Sequence, residues 1–519
     1  MEFNEKYVLT IDCGTQSIRG LVFNQYGELV LKIKKEIEPY FSLQPGWTEQ
    51  DPDLYFNTMC DIIKVLRDEN DEIYDQIAGM TVTTQRDCCI VVDKEGKPLR
   101  PAILWMDQRE ASKKSFKLPY KVATSAVGMH EVSRKVGAHC KAHWLKEHEK
   151  ETWDKTHKYL MLSAYLNFRL TGKYIDSIAS TIGHIPFNYK KFQWESDLGL
   201  KRQIFQIERE KLYDIVEPGT IIGEVSKEVA EISGLKEGLP IIASASDKGC
   251  ETLGAGCVND ETVSISMGSL ATIQTTSKKY YELNKFIPPF PAAIPNTYNP
   301  ELQIYRGYWM ITWFKKEFAR KEMEESKKTG ILPEVLLNKY LNQIPPGSDG
   351  LILQPYWGSP LKLPEARGSI IGFSDYHTRI HIYRAIIEGI AYGLFEGMKS
   401  IERHSGVKIK RVMLSGGSSQ SDAICQITAD VFNKPVYRVQ TYETSGLGAA
   451  IICFVGLGVY KDYDEAVKSM VHVKDYFMPI RENVEIYYDI YHRVYKNIYR
   501  RMRPLYQELK EIYKARGKL

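Results

Sequence analysis

The sequence predicts two duplicated α/β domains, and three observations carry that prediction. At 519 residues the chain is too long for one compact core. It opens on two β-branched, apolar runs around a small-residue turn, from Tyr7 to Phe23. The same layout returns over Glu261 to Gln274, where alternating residues flank Met267-Gly268-Ser269. A recurrence that far along the chain reads as internal duplication. It sets a first domain at 1–256 and a second at 257–519.

The elements follow in order. The runs on either side of Gly14-Thr15 predict a hairpin. A second turn, Asn24-Gln25-Tyr26-Gly27, leads into a third strand over 29–37. A helix is predicted over 54–69 and a further strand over 79–84. In the second half, a strand at 412–415 meets Gly416-Gly417 and then a helical pattern to Phe432. The closing helical region, 484–513, carries tyrosines at 487, 488, 491, 495 and 499, a stripe that is either a core face or a docking face.

Composition narrows the function class. Hydrophobic residues make up 43% and charged residues 26%, an ordinary globular balance. The formal net charge of +4 is spread over interleaved acidic and basic residues, which argues against a nucleic-acid partner. The apolar stretch 446–458 is too short and too glycine-rich to span a bilayer, so no membrane partner is expected. No signal-like segment precedes the first strand. Nine cysteines without a CxxC pair indicate free thiols in a reducing, cytoplasmic setting.

Four segments carry candidate chemistry. Asp12-Cys13-Gly14-Thr15, followed by Ser17, combines a carboxylate suited to Mg²⁺ with a turn whose N–H groups and hydroxyls suit phosphate; the alternative is a plain hairpin. Gly268-Ser269 offers the same chemistry, and the same alternative, in the second domain. Ser415-Gly416-Gly417 joins strand to helix, where backbone can approach a nucleotide; without a following Lys it is not a Walker A loop. Asp247 ends an apolar strand and is either a helix N-cap or a base directed at a cleft between the domains.

Together these segments resemble the FGGY family of carbohydrate kinases. The resemblance covers essentially the whole chain. Its clearest segment is Gly368-Ser-Ile370-Ile-Gly372-Phe373, then His381-Ile382, then Ala385-Ile386-Ile387-Glu388, with Phe373 in place of the usual aliphatic residue. A second signature, around Lys141-Ala-His-Trp144-Leu145, departs from the family pattern at Ala138 and Ala142.

The resemblance implies actin-like (ribonuclease-H-like) ATPase domains with an interdomain cleft that holds ATP. It implies Asp12 as the magnesium-associated acid, and Gly14 and Thr15, with Gly268 and Ser269, as phosphate turns; Ser17 adds the hydroxyl already read from the local sequence. Gly416 and Gly417 match the nucleotide glycines, and Asp247 matches the catalytic base. Gln16 stands where some members carry a second Thr. For the acceptor, Gln85-Arg86-Asp87 resembles the glycerol-kinase stretch, and Trp105-Met-Asp107-Gln-Arg109 the pentulose-kinase one. The expected reaction is ATP-dependent phosphorylation of a small sugar or polyol, a pentulose such as xylulose first and glycerol close behind. The oligomeric state is left open, a homodimer being one possibility. An actin- or Hsp70-like ATPase and a non-catalytic sugar sensor are the other classes that share this core.

Overall fold

In the computed structural model, residues 5–516 are described apart from 114–115, 285–286, 359–362 and 364. The first unit is built on β1 (Tyr7–Cys13), β2 (Ser17–Asn24) and β3 (Leu29–Glu36), a meander whose registers pair Asp12 with Arg19 and Ser17 with Glu36. Every residue of β1 is buried, as a central strand covered on both faces requires. Only β3, with its Lys and Glu residues, alternates toward solvent. Helix α1 (Pro52–Glu69) starts from Asp51, whose carboxylate accepts from the Asp53 N–H, and it buries Tyr55, Met59, Ile62, Ile63 and Leu66. Strand β4 (Ile77–Thr84) then runs parallel to β1. β5 (Ile221–Glu224) and β6 (Pro240–Ile242) complete a six-stranded sheet in the order β5-β6-β4-β1-β2-β3. Helix α2 (Asp247–Gly254) follows β6.

The second unit repeats this plan. β7 (Thr262–Met267), β8 (Ala271–Gln274) and β9 (Glu301–Ile304) form an antiparallel meander. After helix α3 (Arg379–Ser405), β10 (Arg411–Ser415) lies parallel to β7. Helix α4 (Asp422–Phe432) leads to β11 (Val436–Val439), parallel to β10. The sheet order is β9-β8-β7-β10-β11-β12, where β12 (Val473–Phe477) is antiparallel to β11. Strand for strand, this matches the first sheet in direction and neighbour. The one exchange is chain order at the far edge, where β5 precedes β6 but β12 follows β11.

The units are Met1–Gly254 with Phe290–Tyr298 and Thr444–Val471, and Ala255–Pro289 with Asn299–Glu443 and His472–Leu519. Two segments that a boundary near 257 assigns to the second domain therefore pack with the first. One of them is helix α5 (Thr444–Gly456), the apolar stretch noted in the sequence. It is buried against α2, β1 and β4. Among the described residues no helix is long and apolar enough to cross a membrane.

The signature at 368–388 is a clamp. Gly372 has φ +98°, and a Cβ there would lie 2.1 Å from the Gly350 carbonyl oxygen. Buried Glu388 accepts from the Gly347 N–H, the Ser348 hydroxyl, Arg384 and the Tyr487 hydroxyl. His381 reaches Asp349 at 3.2 Å, so the turn 347–350 is gripped at both ends. The tyrosine stripe divides: Tyr487 and Tyr495 are buried and, with Tyr491, pack around Tyr392, whereas Tyr488 faces solvent.

Candidate active site

β1, β4 and β6 are parallel neighbours in the first unit, with Cys13 opposite Thr84. Ligands of such sheets bind beyond the carboxyl ends of the strands. Beyond these ends lie Gly14-Thr15, Gln85-Arg86-Asp87 and Ser246-Asp247, so the fold gathers the sequence-predicted residues of this half on one edge.

At β1, Asp12 is buried and its Oδ2 accepts from Arg19 Nη1 at 3.0 Å across the hairpin. The Gly14 N–H donates to the Ser17 carbonyl at 3.0 Å, closing the turn, so that donor belongs to the hairpin rather than to an anion. Ser17 begins the buried strand. Thr15 is wired toward the predicted acceptor residues: its hydroxyl donates to Gln85 Oε1 at 2.7 Å and accepts from the Trp105 indole N–H at 3.3 Å. Gln85 in turn donates to the Tyr55 hydroxyl at 3.2 Å. Trp105 is 42% exposed, an apolar wall rather than a core residue.

Asp247 opens α2. The cap itself is Ser246, whose hydroxyl accepts from the Gly249 N–H at 3.3 Å, leaving Asp247 in the first helical turn. Asp247 Oδ1 accepts from the Lys248 N–H at 2.8 Å. Burial raises its pKa above the ordinary aspartate value, against the pull of Lys248 and Arg86. Arg86 donates from Nε to Ser246 Oγ at 3.1 Å, and its guanidinium sits 4.7 Å from the Phe290 ring centroid. Arg86 and Asp247 thus flank the same serine.

Asp87 has left-handed backbone, φ 55°. Its Oδ2 accepts from Lys141 Nζ at 2.7 Å and lies 2.8 Å from His184 Nδ1, while Oδ1 accepts from the His184 N–H at 3.0 Å. Burial pushes this carboxyl up, but Lys141 and His184 outweigh it and hold Asp87 well below the usual carboxylate range. Burial likewise opposes the Lys141 ammonium, and Asp87 overcomes that and raises it. A Cβ at Gly183 would meet Asp87 Oδ1 at 2.5 Å, so the segment bearing His184 closes directly over the carboxylate.

Asp107 is built into the scaffold. Its Oδ1 accepts from the Arg109 N–H and Nε at 3.0 and 2.7 Å, and its Oδ2 from the Thr48 N–H at 2.7 Å. Arg109 continues to Glu49 and stacks between Trp47 and Trp144, 4.1 and 4.6 Å from their centroids. This network anchors the loop that presents Trp105.

In the second unit, β7 and β10 end side by side, with Ser266 opposite Ser415. Gly268-Ser269 and Gly416-Gly417 emerge together. Gly416 has φ +85°, and a Cβ there would lie 3.1–3.3 Å from the backbone of Met267 and Gly268, so only glycine fits. At Gly417 a Cβ would meet nothing within 4 Å, which leaves room for a flat ligand against the backbone. Arg438 holds the following turn through the Ser419 carbonyl at 3.0 Å.

A magnesium ion takes oxygen ligands, often one or two carboxylates completed by phosphates and water. Among the described residues no three His, Cys, Asp or Glu side chains gather as a metal cluster. Asp12 at a phosphate-suited turn fits an ion that arrives with a nucleotide, and does not fit a resident metal. Sequence reading missed Arg19, Tyr55, Lys141, His184, Ser246 and Phe290. Arg19 had a signal, since hairpin register sets it opposite Asp12.

Residues 7–254 match the N-terminal domain model of the FGGY family of carbohydrate kinases, and residues 263–457 match its C-terminal domain model. An uncharacterized sugar kinase of Escherichia coli strain K12, YgcE, is 30% identical over 485 residues, spanning 93% of this chain and 91% of that protein. The xylulose kinase of Lactococcus lactis subsp. lactis is 28% identical over 494 residues, 93% of this chain and 95% of that protein. Among solved structures, gluconate kinase from Lactobacillus acidophilus superimposes with a TM-score of 0.81 at 23% identity, covering 98% of this chain and 100% of that one. At that identity the likeness speaks for the fold.

Proposed function

Since this chain belongs to the FGGY family of carbohydrate kinases and is a phosphotransferase acting on a sugar hydroxyl, we propose that its acceptor is a pentulose, xylulose first, with glycerol and other small polyols as alternatives. The observation that supports transfer to a hydroxyl is Asp247: a half-buried carboxylate of raised pKa beyond the ends of the parallel strands, one side-chain neighbour away from Arg86. Xylulose takes precedence because the xylulose kinase of Lactococcus lactis aligns along nearly the whole chain and because Trp105 stands exposed over Thr15 and Gln85. An apolar wall beside several hydrogen-bonding groups is what a polyol face requires.

Phosphoryl transfer proceeds through a loose transition state, so the protein chiefly positions reactants and stabilises charge. Arg86 and Gln85 hold acceptor hydroxyls, and Trp105 packs along the carbon chain. Asp247 orients the attacking hydroxyl and takes its proton as the new O–P bond forms and the bond to the ADP oxygen breaks. In the first unit Thr15 and Ser17 are the proposed phosphate contacts; in the second, Gly268 and Ser269 are proposed to bind phosphate oxygens and Gly416-Gly417 to lie against the nucleoside. Asp12 would hold Mg²⁺ through water, the ion supplying charge neutralisation at the phosphates.

Asp247→Asn should lower kcat by roughly 10²–10⁴ with little change in Tm, the range for loss of a general base. Because the raised pKa belongs to the base, wild-type turnover should fall on the acid side at a pH above the ordinary aspartate value of about 3.9. ADP release with D-xylulose, D-ribulose, gluconate, glycerol and erythritol, each against no acceptor, tests the substrate. Stimulation by a pentulose with formation of its phosphate is expected. Equal ADP release without any sugar, or stimulation confined to gluconate, would overturn the assignment.

A further inference from the structure

Residues 179–184 are stitched across the segments that carry Arg86 and Asp247. The Ser246 N–H donates to the Ala179 carbonyl and the Asp87 N–H to the Ile182 carbonyl, both at 3.1 Å. The Gly183 N–H donates to the Tyr189 hydroxyl, also at 3.1 Å. The Tyr189 ring meets Phe290 edge-on at 5.8 Å, and the same Phe290 ring carries the Arg86 guanidinium. Arg86, Asp87, Tyr189 and His184 therefore form one cluster within the first unit.

His184 is fixed at every polar atom but one. Its N–H donates to Asp87 Oδ1 at 3.0 Å, its ring Nδ1 lies 2.8 Å from Asp87 Oδ2, and its carbonyl accepts from the Cys140 thiol at 3.4 Å. Phe205 and His139 flank the ring, each with its centroid 6.1 Å away. An ionised carboxylate can only accept, so the ring proton sits on Nδ1 and the neutral imidazole presents a lone pair at Nε2. That nitrogen has no hydrogen-bond partner among the described residues, and the side chain is 35% exposed. Bracing Asp87 needs only the Nδ1 donor, which an asparagine amide would also supply; the ring carries its second nitrogen outward beyond that need.

We propose that His184 Nε2 accepts a hydrogen bond from a hydroxyl of the sugar, which makes His184 a specificity-determining residue beside Arg86. This rests on the reading of Gln85 and Arg86 as the acceptor face. The two side chains have opposite polarity. A guanidinium has donors only and takes a hydroxyl through its oxygen, whereas Nε2 takes one through its hydrogen. Together they read a polyol as both acceptor and donor. An analogue without the matching hydroxyl leaves Nε2 unpaired and is rejected.

Steady-state ADP release by the full chain tests this, with D-xylulose, D-ribulose, glycerol and erythritol titrated in turn and ATP titrated at saturating sugar. His184→Asn keeps a donor in the place of Nδ1 and removes the atom at Nε2. His184→Gln carries its amide to the place of Nε2 and gives up the bond to Asp87. In His184→Asn, KM for the sugar that is phosphorylated should rise about three- to tenfold, the scale of one neutral hydrogen bond. KM for ATP and Tm should stay at wild-type values. His184→Gln should recover part of the lost sugar affinity although its Tm falls. A role confined to bracing Asp87 gives the reverse order, with His184→Asn close to wild type and His184→Gln the weaker binder, and that result would overturn the proposal. Equal rises in KM for sugar and ATP would do the same. Arg86→Ala keeps the two readings apart. If it raises KM for the sugar and His184→Asn does not, the acceptor face stands and the role of His184 falls; if neither variant raises it, both fall.

Discussion

Asp87 shows how a residue's neighbours set its role. Both Asp87 oxygens accept within the chain, Oδ2 from Lys141 and Oδ1 from the His184 N–H, which holds the carboxylate in place. The ion pair fixes the backbone next to Gln85 and Arg86, and Lys141 also donates to the Asp87 carbonyl at 2.9 Å. Lys141 belongs to the signature that departs from the family pattern at Ala138 and Ala142, and its ion pair with Asp87 is formed despite the departures. Lys141→Met would leave a buried carboxylate short of its cation, a loss of about 3–5 kcal/mol by comparison with broken buried ion pairs. Because Arg86 sits on the loosened segment and Asp247 does not, KM for the sugar should rise about tenfold (about 1.4 kcal/mol) with kcat little changed. Steady-state kinetics beside a thermal melt checks both. A kcat that falls as far as KM rises would mean that the ion pair supports the chemical step itself.

At the scale of elements, two contacts decide how the helices sit. Helices α2 and α5 meet backbone to backbone: a Cβ at Gly448 would lie 1.9 Å from the Cys250 carbonyl oxygen, and one at Gly254 would lie 2.0 Å from that of Thr444. No L side chain fits such an approach. Gly448→Ala should therefore push α2 away, costing about 1–3 kcal/mol in overpacking, and should lower kcat because Asp247 begins that helix. Denaturant titration and turnover should move together. The second contact is Glu396 on α3, which has no hydrogen bond among the described residues and faces Tyr356, Tyr491 and Tyr495. Burial pushes its pKa up to about 7. A carboxyl whose folded pKa is raised contributes stability fully below its unfolded value, and that contribution is lost as pH rises toward the folded one. Wild-type Tm should therefore drop between pH 5 and pH 8 relative to Glu396→Gln. Parallel Tm profiles for the two proteins would remove Glu396 from that role.

For the whole molecule, the chain order does not respect the two units. Residues 444–471 belong to the first unit although both flanking stretches belong to the second. A fragment ending at residue 256 would lack α5 and expose the apolar faces of α2, β1 and β4. Expressed alone, 1–256 should be aggregated or lack near-ultraviolet circular dichroism, whereas the same fragment joined to 440–471 should regain both solubility and signal. A well-folded 1–256 would show that α5 is dispensable.

Much of this architecture was legible in the chain. Alternation along Tyr7–Phe23 and its echo at 261–274 exposed the meanders and the duplication, because strand periodicity and turn chemistry are local properties. That Asp12, Asp247 and Gly416 stand at or just beyond strand ends was legible for the same reason. What was not legible joins residues far apart in sequence: Lys141 with Asp87, Arg86 with Ser246 and Phe290, and α5 with α2. Such pairs are chosen by which buried faces and unpaired charges meet once the sheet has formed, a long-range competition that leaves no mark in a short window of sequence. The chain by itself thus determined its strands, their duplication and the kind of chemistry at their ends; the tertiary structure alone decided that Asp247 has a raised pKa while Asp87 is held ionised, since burial and the nearest cation set that difference.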